Sequence, residues 1–272
     1  MSKYLVAGAS RGLGFEFLRQ LSEDPNSVVI GLVRNKEETE KRVAAEIKRS
    51  NIHILQGDLD DYESLKKAAE TTSEITGGGL DYLIGNGAFV SRYSEFSNFG
   101  ELGETPSELT KDLLNSFSTN VVGTIHLFNV FMPLIRQGAA KKVIALTTGM
   151  ADMEVVRQLD IDIAPPYAIS KAALNTAVAK FSAQYRREGI LFMSISPGVV
   201  DTGNVDPAKL PEEKKEGAMA MAAKFAAYAP DFKGPISPEE SVSHIMAVIE
   251  NASVERGDGG SYVSHFGNKQ WI

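Results

Sequence analysis

Tyr4-Leu5-Val6-Ala7-Gly8-Ala9-Ser10-Arg11-Gly12-Leu13-Gly14 opens the chain with a short apolar run, a glycine-rich turn and the start of an amphipathic pattern. Glycines in such a turn let the backbone bend sharply and let a pyrophosphate come close. The helix that follows offers free N–H groups to the anion. The turn alone is weak evidence, but its place between a strand and a helix makes it a dinucleotide-binding candidate. Outward from it, apolar runs at Tyr4–Gly8, Val28–Val33, Ile52–Gln56, Tyr82–Gly85, Lys142–Thr147, Leu191–Ser196 and Ser261–Val263 alternate with helical patterns. The helices are expected near Leu13–Leu21, Lys36–Lys48, Tyr62–Thr72, Ser107–Ile135, Tyr167–Arg187 and Pro238–Glu250. Strands apolar on both faces, each followed by a helix, predict an α/β fold with a doubly wound, seven-stranded parallel sheet and helices on both faces. No linker, repeat or low-complexity tract divides residues 1–272, so a single domain is expected.

Composition narrows the function. Of 272 residues 43% are hydrophobic, enough for a full core, and 35 acidic against 28 basic side chains give a net charge of −7, which argues against a nucleic-acid partner. The absence of cysteine excludes disulfides, thiolate metal sites, iron–sulfur ligation and a cysteine nucleophile, and suits a reducing compartment. His53, His126, His244 and His265 lie on separate predicted elements without paired spacing, so no metal site is expected. No apolar run approaches the roughly 18 to 20 residues of a membrane span. The expectation is a soluble, cytoplasmic chain without leader or membrane partner.

Dinucleotide folds that use NAD place an acid on the ribose hydroxyls at the end of the second strand. Here that place reads Leu32-Val33-Arg34-Asn35. Arg34 and Arg11 could instead pair with a 2′-phosphate, or stand as two solvated arginines. Asp58, after the third strand, could accept from an adenine amino group or cap the next helix. The cluster Asp58, Asp60, Asp61 and Glu63 reads as an acidic helix N-terminus, and Lys214-Lys215 as a solvated pair in a loop. Two long segments read as functional loops: Gly149–Pro166, and Asp201–Pro235 with its Ala-rich helical stretch Glu216–Ala229. Both follow the C-terminal end of a strand, where open α/β sheets place ligands.

In Tyr167-Ala168-Ile169-Ser170-Lys171, the i, i+4 spacing sets a phenol and an ammonium on one helical face. A phenol is a poor acid–base catalyst near neutrality, and a nearby ammonium is expected to lower its pKa toward the useful range. Alone such a pair is usually a surface pair. Together with the glycine-rich turn it resembles the classical short-chain dehydrogenase/reductase family, a single-domain Rossmann fold, from Gly8 to the last strand. Further matches are Ser118-Thr119-Asn120-Val121-Val122-Gly123 and Ser196-Pro197-Gly198-Val199-Val200-Asp201-Thr202. The tail Ser264–Trp271 resembles the C-factor and Sniffer-like branch of carbonyl reductases.

The resemblance implies an NADP(H)-dependent oxidoreductase that reduces a ketone, or runs the reverse. Tyr167 would be the general acid and Lys171 would bind the nicotinamide ribose. Asn120 would hold a helix distortion and a relay water. Gly8, Ser10, Arg11, Gly12, Leu13, Gly14, Arg34, Asp58, Leu59 and Asn86 would hold the adenosine half of the cofactor. Pro197, Gly198, Val200 and Thr202 would meet the nicotinamide and its phosphate. Three departures stand out. Thr148 replaces the family serine, with Thr147 as the alternative. Gly85-Asn86-Gly87-Ala88 stands for Asn-Asn-Ala-Gly, and Tyr167 follows Thr148 by 19 positions, a longer interval than usual. These changes keep open a dinucleotide-binding regulator, isomerase or cyclase without net redox turnover. The 201–235 segment is expected to be a substrate lid. Its Met219, Met221, Phe225 and Tyr228, meeting Met150 and Met153, suggest a bulky hydrophobic carbonyl partner. The two long helices could pair across a two-fold axis in a homo-oligomer.

Overall fold

The strands are apolar on both faces because both faces are covered. In β1 (Lys3–Ala7) Leu5 and Ala7 join one core and Val6 the other. The same alternation runs through β2 (Val28–Val33), β3 (Ile52–Gln56), β4 (Tyr82–Gly85), β5 (Lys142–Leu146) and β6 (Leu191–Ser196). With the short β7 (Tyr262–Ser264) they form one parallel sheet in the order β3-β2-β1-β4-β5-β6-β7. This computed structural model describes residues 1–203 and 210–272.

Helices α1 (Gly12–Leu21), α2 (Lys36–Glu46) and α10 (Pro238–Asn251) contribute Phe17, Leu18, Val43, Val242, Ile245 and Ile249 to the core on one face. On the other, α3 (Tyr62–Thr76), α6 (Thr124–Gln137) and α8 (Pro165–Tyr185) bring Leu65, Phe128, Phe131, Leu174, Val178 and Phe181. The chain winds outward from β1 to β3, and α3 then returns it to β4 on the other side of β1. The carboxyl ends of β1 and β4 therefore flank the point where the winding reverses, and open sheets bind ligands there.

The strand readings hold to within a residue, and three helical readings change. The expected single helix Ser107–Ile135 is α5 (Pro106–Phe117), a π-helical turn at Ser118–Gly123, and α6. It is preceded by a short α4 (Phe99–Gly103), closed by a reciprocal capping box between Asn98 and Glu101. The segment read as the loop Gly149–Pro166 contains a 3₁₀ turn (Gly149–Ala151) and α7 (Met153–Leu159), which Asp152 caps by accepting from Glu154 and Val155 N–H. Within 201–235 the helix α9 spans Glu212–Tyr228, and part of the expected lid, 204–209, lies outside the described residues. Lys214 and Lys215 are not a solvated loop pair. They lie in α9, where Lys214 Nζ donates to the Arg92 and Tyr93 carbonyls and Lys215 pairs with Glu212.

The continuous helical run Pro106–Gln137 is long and apolar enough to cross a membrane, contrary to the expectation from sequence; its most apolar window is 56% buried inside the protein, as in a core helix. On the helices offered for a two-fold pairing, Leu114, Phe117 and Ile169 remain exposed.

Candidate active site

Gly8 and Gly12 adopt φ of +76° and +53°, the left-handed region that glycine tolerates. The turn also needs glycine for space. A Cβ on Gly8 would stand 2.5 Å from Gly87 Cα, and one on Gly14 would stand 2.1 Å from the Gly8 carbonyl oxygen. Asn86 Nδ2 donates to that same carbonyl at 2.8 Å, so Asn86-Gly87 braces the turn at the sheet's switch point. Arg11 occupies the N-cap position of α1, but no side chain caps the helix and its first turn carries no acid. The N-terminal N–H groups and their positive dipole end are thus left for an anion. Thr202 lies against Gly12, with its Cβ 3.5 Å from where a Gly12 side chain would begin, so the segments after β1 and β6 converge.

Around this turn Ser10, Arg11 and Arg34 are exposed and Gly12 and Leu13 partly so. Sequence reading missed Arg42 of α2. Its guanidinium lies 4.0 Å above the Phe15 ring, donates to the Ser10 carbonyl at 3.1 Å and pairs with Glu46, adding a third cation at the turn. Asp58 does not cap α3. Asp61 does, accepting from Glu63 and Ser64 N–H, while Asp58 Oδ1 accepts from Asp60 N–H. Asp60 in turn accepts from the Ser118 and Thr119 hydroxyls, and a Cβ on Gly123 would stand 2.5 Å from the Leu59 carbonyl oxygen. The start of α3 is thereby docked on the π turn.

That π turn carries Asn120, fully buried. Its Oδ1 accepts from Phe89 N–H at 2.7 Å, and its Nδ2 donates to the Phe89 carbonyl at 3.0 Å and to Ser170 Oγ at 2.9 Å. Ser170 Oγ donates to the Tyr167 carbonyl at 2.7 Å. The distortion expected at Asn120 is present. Both amide hydrogens are spent on protein partners, so no side-chain donor remains for a relay water, and Ser170 is a member of the network to which sequence reading gave no role.

Lys171 Nζ donates to the Leu146 carbonyl at 2.8 Å and lies 5.9 Å from the Tyr167 ring centroid. This one bond ties the first turns of α8 to the end of β5. Burial pushes the Lys171 ammonium down to about 8 and the Tyr167 phenol up to about 12. The phenol therefore moves opposite to the expectation from sequence, because burial disfavours its charged form. At neutral pH Tyr167 holds its proton.

A stability test follows from the sign of the Lys171 shift. Unfolded chains keep the lysine proton to about 10.5, whereas the folded protein releases it near 8. Between those values the unfolded state binds more protons, so folding gains stability as pH rises and loses it as pH falls through 8. The raised Tyr167 pKa opposes this only above its ordinary value of 10. The melting temperature of the ligand-free protein, relative to Lys171→Met, is expected to rise between about pH 8 and pH 10, inside that window and below the range where Tyr167 opposes it. A difference independent of pH would show that the ammonium is not desolvated.

The family model for short chain dehydrogenases matches residues 3–213. The chain belongs to the short chain dehydrogenase family. Over their full lengths it is 56% identical to the short chain dehydrogenase virK of Hypocrea virens and 50% identical to the short-chain dehydrogenase/reductase iacC of Pestalotiopsis fici. Among solved structures, the carbonyl reductase Sniffer of D. melanogaster superposes with a TM-score of 0.77 at 21% identity, and the NADPH-bound carbonyl reductase from chicken fatty liver with 0.75 at 23%. Each comparison covers 98% of both chains, and at these identities the likeness speaks for the fold alone.

Against the short chain dehydrogenase pattern the two threonines separate physically. Thr147 is 3% exposed, and its hydroxyl is enclosed without a partner. Thr148 is partly exposed and caps the 3₁₀ turn by accepting from Met150 N–H at 3.3 Å, leaving its own hydroxyl hydrogen free to donate. At the other wall Gly198, φ +84°, backs onto His265, whose ring would lie 2.7 Å from any added Cβ. Pro197 accepts from Ser241, and Val200 bridges to Ile236. The histidines are not all scattered: His244 and His265 stack at 5.5 Å, and burial beside His244 pushes His265 down to about 4. Among the described residues no group suited to a metal ion occurs. A cavity of about 460 Å³ lies behind this pair, against Met193, Val248, Asn251 and Phe266, and includes no candidate site residue.

Proposed function

We propose that this short chain dehydrogenase reduces the carbonyl group of a bulky hydrophobic molecule with NADPH, or runs the reverse oxidation. The observation that carries the reading is how the start of α8 is held: Asn120 bonds Ser170 and Ser170 bonds the Tyr167 carbonyl, while Lys171 separately bonds the Leu146 carbonyl two residues before Thr148. A nicotinamide cofactor, when bound, supplies the hydride that reaches the carbonyl carbon. Tyr167 gives its proton to the carbonyl oxygen while Thr148 donates a hydrogen bond to that oxygen. Lys171 holds the ribose and steadies the phenolate that Tyr167 becomes, and Asn120 fixes the start of α8.

The fit to the cofactor rests on the uncapped α1 N-terminus, the close approach of Thr202 to Gly12, and three arginines: Arg11 at the α1 N-cap, Arg42 on the Ser10 carbonyl and the exposed Arg34 directly after β2. Gly8, Ser10, Gly12, Leu13 and Gly14 would hold the pyrophosphate side, with Arg34 and Arg11 on the 2′-phosphate. Asp58, Leu59 and Asn86 would border the adenosine. Pro197, Gly198 and Val200 would meet the nicotinamide through their backbone, and Thr202 its phosphate. That one relative in fold is an NADPH-bound carbonyl reductase agrees with this choice.

The 201–235 segment is read as a substrate lid. Met153 and Met219 are 80% and 72% exposed and belong to no apolar cluster among the described residues. Met150, Met221, Phe225 and Tyr228 instead join Val155, Ile161, Tyr262 and Trp271 in a third apolar cluster. Helix α9 also lies against Phe96, where a Cβ on Gly217 would meet the carbonyl oxygen at 2.6 Å, and binds Asp162 through Lys224. It thus spans from the β4 loop to the β5 loop, which suits an apolar substrate enclosed beneath it.

Thr148 carries its own test. Thr148→Ser is expected to keep or raise turnover, and Thr148→Val, of similar shape but without a donor, to lower it about 100-fold. Thr147→Val is expected to be tolerated, because the hydroxyl it removes has no partner. The reverse pattern in steady-state rates would move the donor to Thr147.

A further inference from the structure

Trp271, the single tryptophan of the chain, is 3% exposed and stacks on Tyr262 with ring centroids 4.4 Å apart. It also presses on the segment that carries Thr148. A Cβ on Gly149 would begin 2.9 Å from Trp271 Cβ and 3.2 Å from Cγ. Tyr262 donates its hydroxyl hydrogen to the Thr148 carbonyl. Lys269 Nζ lies 4.5 Å and 4.9 Å from the Tyr262 and Trp271 ring centroids and 3.5 Å from Oδ2 of Asp152, the α7 cap. Its carbonyl accepts from the Tyr228 hydroxyl of α9 at 3.4 Å. Residues 148–152, α9 and β7 therefore meet on the C-terminal tail.

A hydroxyl on a one-turn 3₁₀ segment points where its main chain is held. The Thr148 carbonyl is fixed from β7, the Gly149 backbone lies against the indole, and the Asp152 carboxylate is drawn to Lys269. Resting on the reading of Thr148 as donor to the reacting oxygen, we propose that Tyr262, Lys269 and Trp271 are positioning residues. They hold the 148–152 turn in register with Tyr167 and link its placement to the seating of α9, so the tail selects which carbonyl compounds are turned over. None of the three touches the reacting atoms.

The test uses the full chain with Tyr262→Phe, Gly149→Ala, and Gly149→Ala combined with Trp271→Gly. Para-nitrobenzaldehyde and phenanthrenequinone serve as small and bulky carbonyl probes. Tyr262→Phe is expected to lower kcat by about ten-fold with NADPH affinity unchanged, and to speed amide exchange at 148–152 by roughly the same factor. Gly149→Ala is expected to do likewise and to shift the Trp271 emission to the red. Trp271→Gly in the same chain, which removes the Cβ and Cγ that an added Gly149 side chain would meet, should recover part of the loss, as relief of a direct clash requires. Wild-type amide exchange at 148–152 in Tyr262→Phe, or no recovery in the double variant, would overturn the proposal. A wild-type protein that reduces neither probe would count against the reductase reading instead, while exchange and emission would still decide the role of the tail.

Discussion

Tyr167→Phe is expected to lower turnover by roughly two to four orders of magnitude while NADPH binding stays near wild type. The substitution removes one hydroxyl and keeps the ring, so packing at the first turn of α8 is preserved. Tyr167 holds its proton at neutral pH because burial lifts its pKa to about 12, and reduction needs that proton at the carbonyl oxygen as negative charge develops. The Ser170 bond reaches the Tyr167 main chain and survives the change. Lys171→Ala, in contrast, is expected to harm turnover and cofactor binding together, since it also strips the Leu146 carbonyl of its partner. Stopped-flow reduction and NADPH fluorescence titration separate the two effects. Wild-type rates in Tyr167→Phe would remove the proposed acid.

Arg34→Ala is expected to weaken NADPH about 10- to 100-fold and NADH far less, from the roughly 1.5 to 3 kcal/mol of a charge-assisted hydrogen bond. Arg34 is exposed directly after β2, where no carboxylate stands to favour a 2′-hydroxyl. Arg11→Ala should act in the same direction with a smaller effect, because Arg42 also stands at the turn through the Ser10 carbonyl. Competitive titration of both cofactors checks this; equal losses for NADPH and NADH would make Arg34 structural.

The sheet could be read because parallel strands buried on both faces write themselves as Val, Ile and Leu runs, with VVIGLV at Val28–Val33 the clearest. Tyr167 and Lys171 were visible because a helix fixes their spacing. The π turn was not, since one extra residue per turn leaves the apolar pattern from Pro106 to Gln137 nearly unbroken. Helix α4 was signalled by Asn98-x-x-Glu101, a capping box that passed for loop. Other features leave no trace in local sequence. Arg42 reaches Ser10 across 32 positions, and Tyr262 reaches Thr148 across 114. The direction of the Tyr167 shift also depended on burial that the motif does not encode.

The measurement that bears most directly on the reductase reading is isotope transfer. Wild-type protein is incubated with NADPH carrying deuterium on the transferable face of the nicotinamide and with an aromatic ketone or quinone, and the product is analysed by mass spectrometry. One deuterium at the former carbonyl carbon, formed by wild type and lost in Tyr167→Phe, is the predicted result. Tight NADPH binding with no deuterium in any product across a panel of carbonyl compounds would contradict it and return the protein to a dinucleotide-binding role without redox turnover.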